Sequence, residues 1–311
     1  MKVRIGGQAV MEGVMMKNQD QYAVSVRKPD GEIETKKETC ISFGEKHPLF
    51  QLPILRGVVN FIESMVVGMK TLNYSASFFE DEEEQEAGKL DQLVEKLFSG
   101  KGEKIMMGIV MVLSFAISIG LFMVLPYLVS AFLQKWITNQ YLILLIEGII
   151  RVSIFLCYIL LISRMEEIKR VFMYHGAEHK TINCLEAGED LTPENIKKYS
   201  RLHKRCGTSF LFVVMIISMV FFFFIRVDTI WLKVVLRLLL LPAVAGVSYE
   251  FIRLAGNSEN ALVQILSKPG LCLQKLTTKE PDESMLEVAI ASVEGVFDWK
   301  AYLKEERSHR E

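Results

Sequence analysis

The chain has 311 residues, half of them apolar, with 36 basic side chains against 37 acidic ones, and its mean hydropathy is positive. That is too apolar for an ordinary cytosolic domain and points to a membrane protein whose first partner is the lipid bilayer. Matched charge provides no field of the kind that draws nucleic acid or acidic substrates, so no nucleic-acid partner is expected.

The first twenty residues interrupt any apolar run with Gln8, Glu12 and three glycines, so no secretory signal is expected there and the N-terminus should stay in the cytoplasm. Gly6 to Met16 reads in two ways: glycines that let backbone approach a ligand closely, with Gln8 and Glu12 as site candidates, or a bulged strand with both side chains turned outward. Tyr22 to Lys28 and Glu32 to Thr35 flank Pro29-Asp30-Gly31, the pattern of a small β-hairpin. These elements make a cytosolic region over 1–52. Over 53–79, Ile54, Leu55, Val58, Val59, Ile62, Met65, Val66 and Met69 recur with helical period, while Arg56, Asn60 and Glu63 share another face. So regular a polar stripe favours an interfacial helix over one that dips into lipid. Residues 80–104 open on the acidic block Glu80 to Glu86, whose like charges repel and predict a solvated linker before a cytosolic helix.

Four apolar stretches follow. Ile105 to Leu133 has no charge and exceeds the roughly twenty residues needed to cross a bilayer. Tyr141 to Ser163 carries Glu147 and Arg151, Thr208 to Ile225 ends in four phenylalanines, and Thr229 to Tyr249 carries Lys233 and Arg237. Short linkers join them into transmembrane hairpins over 105–163 and 208–249. The fold class expected is mainly α, a polytopic membrane protein with four transmembrane helices in two hairpins, a small N-terminal β-hairpin region and cytosolic helices. Segment 164–207 is rich in Lys and Arg, which places it and both termini in the cytoplasm of a multi-pass plasma-membrane protein. Charges at the depth of Glu147, Arg151 and Arg237 are costly unless paired, and an ion pair between helices is preferred to an ion path. The region 250–311 reads as helices broken around Lys268-Pro269-Gly270 and Glu280-Pro281. The five cysteines, Cys40, Cys157, Cys184, Cys206 and Cys272, are scattered and odd in number, as reduced cytoplasmic thiols are.

The chemistry concentrates in 164–207. His175-Gly-Ala-Glu-His179 sets two imidazoles four residues apart, on one helical face, where both can reach one divalent cation. The pattern H-x-x-E-H is that of inverted zincins, in which the glutamate, here Glu178, takes a proton from water activated by zinc. Catalytic zinc takes three protein ligands, and the preferred set is His175, His179 and either Glu186 or His203, with Cys184 and Cys206 as further candidates. Gly176 weakens the helix between them, either to admit close backbone or because the geometry departs from a zincin. The bland alternative has these histidines bonding carbonyls at the membrane surface. Glu250, Arg253 and Asn257 share one helical face, as floor of the same site or as interface anchors.

Gly6-Gly-Gln-Ala-Val-Met-Glu-Gly-Val-Met-Met16, Tyr174-His-Gly-Ala-Glu-His-Lys180, His203-Lys-Arg-Cys-Gly-Thr-Ser209 and Leu273-Gln-Lys-Leu-Thr-Thr278 resemble the YqhQ-like family of bacterial membrane proteins over nearly the whole chain. The resemblance implies metal-dependent enzymes of unassigned reaction. It carries the family's motifs onto Gly7, Gln8, Glu12 and Gly13, onto His175, Glu178, His179 and Glu186, and onto His203 and Cys206; Gln274, Thr277, Thr278 and Glu287 also look family-like. The expectation is a membrane-embedded zinc hydrolase acting at the cytosolic interface on a lipid, isoprenoid or peptide, with Glu178 as general base. The competing readings are a scaffold or assembly factor whose metal site is structural or absent, and, ranked last, a transporter. A homo-oligomer or a membrane partner protein is compatible with either of the first two.

Overall fold

A computed structural model describes residues 5–40, 44, 48–79, 102–225, 227, 229–257 and 260–308. The acidic block and nearly all of 80–104 fall outside the described residues, as do Arg226 and Asp228. The chain divides into two compact units: residues 1–78, 159–218 and 241–311 in one, 79–158 and 219–240 in the other.

The first unit opens with an antiparallel meander, β1 (Ile5–Val10), β2 (Gly13–Asn18), β3 (Gln21–Arg27) and β4 (Ile33–Thr39), paired in chain order. The expected hairpin is its β3–β4 half, turned at Gly31 with φ 89°. Gly6 to Met16 supplies the other half, closed by a two-residue loop in which Glu12 takes φ 47°. Strands β2 and β3 are buried almost without alternation because both faces of the sheet are covered. Helix α1 (Leu55–Ala76) lies on one face, where the Gln8 amide packs against Gly68.

The membrane-type helices follow in chain order. They are α2 (Gly102–Ile119), which continues through a π turn at Gly120–Val124 into α3 (Leu125–Leu133), and then α4 (Gln140–Ile162). After them come α5 (Glu166–Ala187), α6 (Gly207–Phe223), α7 (Ile230–Asn257), α8 (Ala261–Thr277), α9 (Glu283–Val296) and α10 (Trp299–Ser308). Three stretches are long and apolar enough to cross a membrane: Gly108–Leu133, Gln140–Ile162 and Trp231–Gly256. The third expected span forms the shorter apolar helix α6. One expected break is missing: α8 runs straight through Pro269, and the chain turns only after Thr277.

The core of the first unit joins Val14 and Met16 of β2, Tyr174, Ile182 and Leu185 of α5, and Met285, Leu286 and Val293 of α9, all buried. Side chains of this size each contribute about 1.5–3 kcal/mol on burial. Asp282 caps α9 by accepting from the Met285 N–H at 3.0 Å. At its other end the helix is pressed so closely on the sheet that Gly295 meets Ala23.

In the second unit Glu147 receives Arg151 at 2.9 Å and Arg237 at 2.7 Å, all three buried. Pro126 has no N–H to give the carbonyl four residues back, and the Arg151 Nε takes that Phe122 oxygen at 3.1 Å. Both guanidiniums lie against the Phe222 ring, at 5.1 and 4.9 Å from its centroid.

Candidate metal centre

Helix α5 starts at the extended residue Met165, carries Glu166 and Glu167 in its first turn and ends on Gly188 with φ 82°. Acidic groups at the positive end of the dipole and a left-handed glycine at the stop are ordinary helix punctuation. Between them His175 and His179 sit one above the other, ring centroids 4.4 Å apart. Gly176 has a direct reason: the backbone of Lys279 crosses the helix there, and a Cβ would run into its carbonyl. The Lys279 N–H donates to the Phe172 carbonyl at 2.8 Å and anchors this crossing.

The crossing orients the first imidazole. Nδ1 of His175 is 2.8 Å from the Thr277 carbonyl, and Nδ1 of His179 is 2.6 Å from the Arg201 carbonyl. A carbonyl only accepts, so in each ring Nδ1 carries the proton and Nε2 keeps its lone pair. Nε2 of His175 faces the Cys206 sulfur at 3.3 Å, and His179 is hydrogen-bonded to the same sulfur. Ligand atoms of His175, His179 and Cys206 all lie within 4.8 Å of one another. Four-coordinate zinc, with bonds of about 2.0–2.3 Å, sets its donors roughly 3.3–3.8 Å apart, so this set suits a divalent ion after small adjustments. Histidine ligands that donate Nδ1–H to a carbonyl are the usual outer arrangement of such a site. Cys206 also receives the Thr208 N–H at 3.4 Å, at the first turn of α6, which favours the thiolate.

Glu178 points the other way around α5, into β1. Its side chain rests on Gly7, where a Cβ would stand 2.7 Å from the glutamate Cγ, and the Gly7 N–H donates to its carboxylate. Burial raises its pKa above the ordinary carboxylate value, although His175, His203 and the Gly7 N–H pull it down. One oxygen is 3.8 Å from Nε2 of His175. Burial likewise lowers the pKa of His179 and of His203.

Other candidates are placed differently. The His203 ring lies 5.7 Å from that of His179, with Nε2 3.5 Å from Glu186. Its backbone is clasped on both sides by the buried Gln274, which accepts from the His203 N–H and donates to its carbonyl, each at 2.8 Å. Glu186 pairs with Arg205 and stands outside the three-atom cluster. Glu12 pairs with Arg170 through both its oxygens and accepts from Tyr174 at 3.2 Å, tying the β1–β2 turn to α5. Glu250 is bound by Arg56, beside the bond from Asn60 to Tyr249, and so fastens α1 to α7. Cys184 is buried in the core. Sequence reasoning passed over Arg201, whose carbonyl orients His179 and whose guanidinium donates to the Thr278 carbonyl at 2.6 Å. An interaction made by backbone leaves no side-chain signature to find.

Residues 52–299 match a family model described as a protein of unknown function, DUF1385. The chain is 37% identical over 289 residues to the "Uncharacterized protein YqhQ" of Bacillus subtilis (strain 168), which covers 92% of this chain and 90% of that protein. No solved structure matches the chain.

Proposed function

The chain belongs to the DUF1385 family, and from that premise we propose that it is a membrane-embedded metal-dependent hydrolase whose divalent ion, zinc by preference, is held by His175, His179 and Cys206. One observation carries the reading: two imidazoles with their Nδ1 protons tied to carbonyls turn their remaining nitrogens toward one cysteine sulfur. Three donors leave a coordination position open, as in catalytic sites, whereas a structural site closes with four. The nearest further imidazole, His203, faces Glu186.

A bound ion would supply Lewis acidity, polarising an oxygen of substrate or water. Glu178 supplies the base: buried, with a raised pKa and 3.8 Å from His175, it is suited to take a proton near neutral pH and return it to a leaving group. Gly7 and Gln274 act by position. The first gives Glu178 room and an N–H, and the second fixes the His203 segment that leads to Cys206.

The membrane reading extends to four crossings. Helix α6, 17 residues at a rise of about 1.5 Å each, approaches the roughly 30 Å apolar layer. The Lys and Arg of 164–207 then put the cluster and both termini on the cytosolic side of the plasma membrane. A transporter reading loses ground because Glu147, Arg151 and Arg237 engage one another.

Elemental analysis of purified protein beside its His179→Ala variant tests this reading. We expect one zinc, iron or manganese per chain, absent from the variant and retained by Glu178→Gln. Wild-type protein without stoichiometric metal overturns it.

A further inference from the structure

We propose that the cluster's substrate is an amphiphile with a phosphate headgroup, bound in a cleft that runs from Cys206 between α1, α6 and α7; this rests on the hydrolase reading above. The cleft, about 800 Å³, has two different ends. At one end Arg205 and Arg253 stand beside Cys206; at the other Phe61, Phe210 and Ile252 form an apolar wall. Phe61 and Phe210 lie 5.5 Å apart between centroids, wide enough in face to hold a hydrocarbon chain.

Each arginine is held in place by a carboxylate, Arg205 by Glu186 and Arg253 by Glu250 at 3.9 Å, and Arg56 shares Glu250. Three guanidiniums against two carboxylates leave the end positive. A guanidinium has five donors, so one fixed by a carboxylate still has a fork to offer a phosphate. Gly256 makes room for the Arg205 stem, because a Cβ there would lie 2.8 Å from its Cγ. The first turn of α6 adds its N-terminal dipole on the same side, next to Cys206.

The apolar end meets lipid. Helix α1, which carries Phe61, exposes Ile62, Met65, Val66 and Met69, and α6 and α7 are the apolar helices on either side. A ligand that slides in from the bilayer would bring its head to the arginines and the cysteine while its tail stays among side chains that already face hydrocarbon. A peptide or a wholly soluble anion uses only half of this cleft.

The test is calorimetric titration of full-length protein in maltoside micelles with dodecyl phosphate, inorganic phosphate and dodecylphosphocholine, in chelator-treated and zinc-loaded samples. Dodecyl phosphate should bind at least about tenfold more tightly than either of the others. Arg253→Gln should weaken it by roughly fivefold or more, and Phe210→Ala should weaken it without changing inorganic phosphate. Arg253→Lys, which keeps the charge and loses the fork, should fall between and guards against a folding defect. Equal binding of inorganic phosphate, equal binding of the zwitterion, or indifference to Arg253→Gln overturns the proposal. Selective binding of dodecyl phosphate by protein that takes up no zinc upholds the cleft and removes the hydrolase reading; zinc uptake without that selectivity does the reverse.

Discussion

Two buried polar clusters in this molecule solve the problem of polar burial in opposite ways. In the second unit Glu147, Arg151 and Arg237 spend their charges on one another, on the Phe122 carbonyl and on the Phe222 ring. In the first unit the protons of His175 and His179 are committed to carbonyls, but their lone pairs and the Cys206 sulfur converge. A closed cluster stabilises and does nothing else, whereas one that directs spare lone pairs at a common point is built to receive something.

The contrast breaks most visibly if the ion triad is dispensable. Glu147→Ala leaves two guanidiniums buried without their anion and should cost about 3–5 kcal/mol, read by thermal unfolding in detergent; an unchanged midpoint would mean that water reaches the triad. Gly176→Ala drives a methyl into the Lys279 carbonyl and should cost about 1–3 kcal/mol despite the better helix propensity of alanine, with zinc affinity falling as His175 loses its partner. A milder effect is expected from acid. His179 and His203 have folded pKa values below the unfolded histidine value of about 6.5, so the unfolded chain binds more protons below that pH and chelator-treated protein should lose stability as pH falls from 7 to 5. Glu178, with a raised pKa, works in the opposite sense, favouring the fold at low pH and less so as pH rises, and Glu178→Gln should therefore steepen the loss on the acid side. Smallest in stability is Cys206→Ser, about 1 kcal/mol or less without metal, but with zinc affinity reduced roughly a hundredfold or more, measured by competition with a chromophoric chelator.

Much of this was legible from residue order. Two spans coincide with charge-free or nearly charge-free stretches, because a lipid-facing helix must be apolar all round and length does the rest. The i, i+4 histidines had to share a face once α5 formed, and the ion triad was foreshadowed by the cost of its depth. Half of the sheet was harder to see. Met15 and Met16 are both buried, so β2 lacks the alternation that marks a strand with one wet face. Pro269 was read as a break, yet α8 absorbs it. Within the site, Glu186 and Cys206 were equally plausible ligands by type, and only the fold decides that Arg205 takes the one while the imidazoles face the other. Thr277 and Gln274 stood out by resemblance alone, since a carbonyl that orients a ring and an amide that clasps a loop act across about 70 to 100 positions of sequence.

Strand β1, which touches Glu178 through Gly7, belongs to a sheet whose opposite cover is α9, residues 283–296. During synthesis the strand therefore leaves the ribosome early and waits, its apolar face bare, until the far end of the coding message has been translated. Contacts so distant along the chain close late. Nascent polypeptide stalled before Glu283 would hold both imidazoles on their helix but leave the acid wet, so any activity is switched on only by completion of the last turns of the cytoplasmic module.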